Sequence, residues 1–169
     1  MIHEKILNFL AGSSSFSGHV SQLLTSLVQA LLKKNPEETL KHLLLELNER
    51  IENILQLSGS TIYNDHKGDQ ELTWCLTLFS ELLCARGDSL IPYKSIIISI
   101  FHRCICLIHK RSYEALAKAA RHLLKSLSYV YPTDYRLTIE NIEEPFIDFL
   151  PIRVSSVDHR SFFLIRIFY

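Results

Sequence analysis

The densest gathering of metal-ligating side chains in the chain is His102, Cys104, Cys106 and His109. On one continuous helix, His102, Cys106 and His109 share a face at i, i+4 and i+7. That face cannot close a site alone, because i and i+7 stand about 10 Å apart along the axis. Zinc bonds to nitrogen and sulfur at about 2.0–2.3 Å, so only neighbours such as Cys106 and His109 can share an ion. A further ligand would have to come from another helix, with His122 as the candidate. A core-facing thiol with histidines at its edge accounts for the same residues without metal, and no metal is expected.

The same stretch is basic. Arg103, His109, Lys110, Arg111, Lys118, Arg121, His122 and Lys125 are opposed only by Glu114. A solvated helix face is the simpler reading. The functional one is an anion-binding or acidic-partner surface, with Lys118, Arg121 and Lys125 as its candidate residues. No aromatic side chains interleave with these cations to stack bases, so nucleic acid is not an expected partner. Nucleophilic catalysis lacks its parts: there is no G-x-S-x-G elbow and no Gly-rich phosphate loop. Ser13-Ser14-Ser15 after Gly12 reads as a helix break and cap, Glu37 with Glu38 as capping residues, and Trp74 as core. No enzyme, catalytic residue or cofactor is expected.

The elements that would position these residues are helices. Phe16, Val20, Leu23, Leu24, Leu27, Val28 and Leu31 recur at steps of three and four, predicting one apolar stripe. Lys33-Lys34 suit the negative end of that helix. Asn35-Pro36-Glu37-Glu38 then predicts a restart, with Asn as N-cap, Pro at the first helical position and Glu at the third. The next helix carries Leu40, Leu43, Leu44, Leu47, Ile51, Ile54 and Leu55. Ser58 to Gly68 is turn-rich and reads as a surface loop. A third helix carries Leu72, Cys75, Leu76, Phe79, Leu82 and Leu83, and is broken at Gly87-Asp88-Ser89. A fourth is predicted from about Leu90 to Lys110, with Pro92 in its first turn. A fifth, capped by Ser112, buries Leu116, Ala119, Ala120, Leu123, Leu124 and Leu127.

Helices so placed recur at roughly 40 to 55 residues, near the HEAT/armadillo period of about 40–47. The expected fold class is therefore all-α, an α-α superhelix of antiparallel helix pairs over residues 1–130. Such pairs need stacked neighbours on both sides, and this stretch reads as part of something longer. Residues 131–153 read as an acidic, Pro-interrupted extended segment, and 154–169 as an atypical apolar tail. The C-terminal part is thus expected to be irregular.

Composition agrees. Lys+Arg and Asp+Glu are equal at 18 each, so no global charge draws the 169-residue chain to nucleic acid. Five Gly and five Pro are too few for the turns of an all-β domain. Cys75, Cys84, Cys104 and Cys106 form no CxxC pair and read as reduced, half-buried thiols of an intracellular protein. The longest apolar run, around Ile96-Ile97-Ile98, is far short of a membrane span, so no membrane partner is expected.

Four collinear pieces carry a resemblance. They are Glu4 to Leu10, Asn35 to Lys41, Glu71 to Cys75-Leu76 with Ser80-Glu81-Leu82, and Leu123 to Leu127 with Tyr131-Pro132-Thr133-Asp134-Tyr135. In order, from about residue 2 to Arg153, the chain resembles the middle region of the proteasome activator complex subunit 4 family. The resemblance implies a very large HEAT-repeat solenoid that binds the α-ring of the core proteasome and stimulates degradation, histones included, without ATP or ubiquitin. It further implies a nuclear and cytoplasmic location, a link to DNA repair, neighbouring HEAT repeats as partners, and inositol phosphate in basic channels of the full-length family. The family's docking tail has a penultimate Tyr where this chain has Phe168, so no docking residue is carried over. The alternative is a HEAT-repeat adaptor or transport scaffold that binds other proteins through its concave face.

Overall fold

Asn35 ends one helix and starts the next. Its N–H donates to the Leu31 carbonyl at 2.9 Å, while its Oδ1 accepts from the Glu38 N–H at 3.4 Å. Pro36 occupies the first helical position, where no N–H is needed. Glu38 returns to the cap, but to its side chain: Asn35 Nδ2 donates to Glu38 Oε2 at 2.6 Å, because the backbone N–H of Asn35 is already engaged. A computed structural model describes residues 18–128, and it divides there into α1 (Gly18–Lys34) and α2 (Pro36–Ser58). Then follow α3 (Thr61–Asn64), α4 (Gln70–Leu82), α5 (Gly87–Leu90), a 3₁₀ turn (Ile91–Tyr93), α6 (Lys94–Cys104) and α7 (Lys110–Ser128). The described residues contain no strand.

α4 lies in the middle. It packs on α1, on α2 and most extensively on α7, while α2 also packs on α6. One layer is thus α1, α4 and α7, and the other is α2 and α6. Side-chain bonds between α4 and α7 join Thr73 to Ser112, Glu81 to Lys118, Ser80 to His122 and Leu83 to Ser126. From Thr73–Ser112 at one end to Leu83–Ser126 at the other the numbers rise together, so the two helices run parallel, at an offset of 37 to 43 residues. Between the first pair of helices and the second, the offset is 52 residues from Gln29 to Glu81 and 51 to 55 residues from α2 to Arg103 of α6. The repeat read from the sequence is therefore present as a physical register.

The stripes on α2 and α4 are buried as expected: Leu40, Leu43, Leu44, Leu47 and Ile51 meet Leu72, Cys75, Leu76, Phe79 and Leu82. Phe79 meets Phe101 of α6 edge to face at 5.4 Å between ring centroids. Trp74 packs against this core, as expected. On α1 the stripe divides. Leu24, Val28 and Leu32 are buried, while Leu23 is 71% and Leu27 39% exposed.

Four expectations are corrected. The helix predicted over 90–110 is an α5 turn, a 3₁₀ turn through Pro92, and α6, which stops at Cys104. Tyr63 ends it by donating its hydroxyl to the Arg103 carbonyl at 3.1 Å. The cap of α7 is not Ser112 but His109, whose carbonyl accepts the first helical bond from Tyr113 N–H at 3.1 Å. The loop after Ser58 contains the short helix α3, held by buried Ile62. Of the thiols expected to be half-buried, Cys75 and Cys104 are buried, Cys84 is exposed and Cys106 alone is half-buried. The expectations for residues 131–153 and 154–169, and for Phe16 and the Ser13-Ser14-Ser15 cap, lie outside the described residues.

Two polar tethers cross the repeats. In one, Arg103 reaches from α6 to α2: Nη1 donates to Glu52 Oε2 at 3.1 Å and Nη2 to Asn48 Oδ1. In the other, Glu81 sits on α4 at 1% exposure. Its Oε2 accepts from Gln29 Nε2 of α1 at 2.9 Å, and its Oε1 pairs with Lys118 Nζ of α7.

Gly68, at φ +68°, precedes α4 in a left-handed conformation, and a Cβ there would lie 2.2 Å from the His109 ring. Gly59, at φ +55°, has nothing within 4 Å. Gly68→Ala should therefore cost about 2–4 kcal/mol, combining left-handed strain with overpacking, against about 1 kcal/mol for Gly59→Ala. Urea denaturation compares them, and equal losses would remove the contact from the account. Lys118→Met should cost about 2 kcal/mol by leaving the Glu81 carboxylate buried without its cation. This is below the range for a fully buried pair, because Lys118 is 41% exposed. Combining it with Glu81→Met should recover most of the loss. A single-variant cost under about 0.5 kcal/mol would mean that Lys118 does not hold this charge.

Candidate functional site

The C-terminus of α4 offers five carbonyls that need donors, and the local backbone supplies only three. Leu83 N–H bonds to Phe79 O, Cys84 N–H to Glu81 O and Ala85 N–H to Leu82 O. The other two are met from α7: His122 Nδ1 lies 2.7 Å from Ser80 O, and Ser126 Oγ donates to Leu83 O at 2.8 Å. These bonds hold α7 against the end of α4. Between them lies a cleft of about 530 Å³ lined by Cys84, Ala85, Arg86, Gly87, His122, Lys125 and Ser126.

The Cys84 thiol stands 3.0 Å from His122 Nδ1, a spacing that invites comparison with a cysteine–histidine dyad. The chemistry does not follow. A carbonyl only accepts, so the Nδ1 facing Ser80 O carries the proton and has no lone pair with which to deprotonate Cys84. Although Cys84 is exposed at its surface, the protein around its sulfur partly desolvates it and, with Glu81, pushes the thiol above its ordinary range, while Lys118, Lys125 and Arg121 pull the other way. Cys75 and Cys104 are both pushed up to about 12, chiefly by burial. None of these three is an activated thiolate.

The proposed metal ligands are dispersed. His109 Nδ1 lies 2.9 Å from Ser112 Oγ, which lies 3.0 Å from Thr73 Oγ1, and Thr73 donates to the Asp69 carbonyl at 2.8 Å. The terminal carbonyl fixes the direction of that chain, so His109 Nδ1 also donates. His122 is 13 residues further along α7, about 20 Å at the helical rise. Cys106 lies in the turn after α6, since α6 ends at Cys104. The shared helical face of His102, Cys106 and His109 is lost with the helix that was to carry it. Among the described residues no three His, Cys, Asp or Glu side chains gather as a metal site.

The three anion-patch candidates also separate. Lys118 is committed to buried Glu81, and Arg103, from the same basic run, to Glu52 and Asn48. Arg121 and Lys125 remain exposed one helical turn apart, and Lys125 lines the cleft. The cation that joins it there is Arg86, 81% exposed and paired at 2.8 Å with Asp88. Sequence reasoning missed Arg86 and Cys84, because only the repeat offset brings the turn after α4 beside the end of α7. It also missed Glu81, whose signal was a lone acid inside the apolar run from Leu78 to Leu83. The arrangement can attract a negatively charged group, and its thiol at Cys84 is not held as a thiolate. No described helix is long and apolar enough to cross a membrane.

Comparison with known proteins gives this helical stack its context. The family model for the mid HEAT repeats region of proteasome activator complex subunit 4 matches residues 1–147. The chain is 33% identical over 151 residues to proteasome activator complex subunit 4 of Xenopus laevis, covering 89% of this chain and 8% of that protein. It is 32% identical over 152 residues to subunit 4A of Danio rerio and 28% identical over 151 to subunit 4 of Homo sapiens, with the same coverage. The chain thus spans about 8% of the length of the curated relatives it matches. With two layers of helices in register at the repeat spacing and a family match over residues 1–147, the chain belongs to the proteasome activator complex subunit 4 family, in its mid HEAT repeats region.

Proposed function

We propose that this chain serves as a structural length of solenoid within a proteasome activator and carries no catalytic residue of its own. The observation that carries this reading is the stacking of α1, α4 and α7 in one layer, α4 and α7 parallel and offset by a repeat, with Glu81 bonded to both neighbours. Buried Glu81, Ser112 and Ser126 each bond across to a neighbouring repeat. Leu23 and Leu27 add an exposed apolar edge on α1, of the kind a preceding repeat covers. In the parent protein the solenoid binds the α-ring of the core proteasome and stimulates ATP- and ubiquitin-independent degradation, histones included, in nucleus and cytoplasm.

A native gradient, blotted with an antibody raised against residues 36–56 and assayed for proteasome peptidase activity, tests this. The expected result is a polypeptide far larger than 19.6 kDa that co-migrates with the activity. A band near 19.6 kDa in fractions without activity would overturn it and favour an adaptor-type role.

A further inference from the structure

We infer that the cleft between the end of α4 and the end of α7 is a docking surface for the chain's own acidic segment, residues 133–151. The cleft presents Arg86 and Lys125, with Arg121 one turn before Lys125 on the same helix. Most described carboxylates nearby are taken. Glu81 is buried against Lys118 and Gln29, Glu114 pairs with Lys110 at 4.0 Å, and Asp88 offsets only part of Arg86 at the cleft mouth. Among the described residues no carboxylate lies within ion-pair reach of Arg111, Arg121 or Lys125. Among the described residues the surface therefore carries uncompensated positive charge around a cleft that Ala85 and Gly87 also line.

The complementary charge follows in the sequence. Residues 133–151 hold five carboxylates, Asp134, Glu140, Glu143, Glu144 and Asp148, against the single cation Arg136. Apolar side chains alternate with them at Ile139, Ile142, Phe146 and Phe149, suiting a cleft that Ala85 and Gly87 also line. Reach is ample. α7 is described to Ser128, three residues beyond Lys125, and 12 residues of chain from there to Glu140 can span at most about 40 Å. Tethering raises the effective concentration of the segment at the cleft far above that of an independent acidic peptide. Contacts of this kind are individually weak, at about 0.2–1 kcal/mol for each exposed ion pair, so several must act together. Docking in the cleft would cover Cys84.

Zero-length carbodiimide coupling of the 169-residue chain, followed by peptide mass spectrometry, reads this contact directly. The Lys110–Glu114 pair provides the internal control for the chemistry. The expected product joins Lys125 to Glu140, Glu143, Glu144 or Asp148. An equal mixture of ¹⁴N- and ¹⁵N-labelled chains should show the link within single chains. As a second measurement, the variant E140Q/E143Q/E144Q/D148N should raise the rate at which an anionic thiol reagent modifies Cys84 by about fivefold. The rate at Cys106 should stay unchanged. The inference is overturned if Lys110 couples to Glu114 while Lys125 joins none of the four acids. Links found only between differently labelled chains would overturn it in favour of a second copy. An unchanged Cys84 rate in the variant would show that the segment does not cover the cleft.

Discussion

A single carboxylate inside the core decides how these helices sit. Apolar packing holds α4 between its neighbours, but leucine against leucine tolerates sliding, because one buried methyl group is much like the next. Glu81 removes that freedom. At 1% exposure its charge must be matched by directed partners, and the structure supplies Gln29 from α1 and Lys118 from α7. A shift of α7 by one turn along α4 would leave a buried anion without its cation, at a cost of about 2 kcal/mol with Lys118 itself 41% exposed. Three helices of one layer thus meet at one side chain, and the Thr73–Ser112, Ser80–His122 and Leu83–Ser126 bonds set the same α4–α7 register. The second layer uses the same device with the sign reversed, Arg103 of α6 reaching Asn48 and Glu52 of α2.

Much of the scaffold was legible because it is written locally. The Asn35-Pro36 restart needs only four residues to specify, and the α2 and α4 stripes follow directly from period 3.6. The break at 105–109 was not legible. Cys104-Ile105-Cys106-Leu107 contains neither Gly nor Pro, and nothing in it discourages a helix. The chain turns there for tertiary reasons: Tyr63 occupies the Arg103 carbonyl, Leu107 is buried, and the His109 ring packs against Gly68. Leu23 and Leu27 misled for a related reason. Periodicity locates an apolar surface but does not say which neighbour covers it.

The candidate site was legible only in part, and the same limit explains why. Lys125 and His122 were visible as members of a basic helix, whereas Arg86 and Cys84 belong to the turn after α4. Their juxtaposition depends on the offset of about 40 residues between equivalent helices. Lys118 shows the converse: a cation that reads as surface is drawn inward by a carboxylate 37 residues earlier. In a repeat architecture, then, the charge at a surface is a property of two repeats together. Reading one helix alone overstates what remains free to bind.

The two carbonyls at the end of α4 have a bearing on synthesis. Ser80 and Leu83 wait for His122 and Ser126, which follow them by 42 and 43 residues. At translation speeds of about 5–20 residues per second, that interval is about 2–9 s, during which α4 has emerged without its final donors. The end of α4 is therefore completed only when α7 packs against it. A pause in synthesis between Leu83 and His122 lengthens the time those two carbonyls spend without their α7 donors.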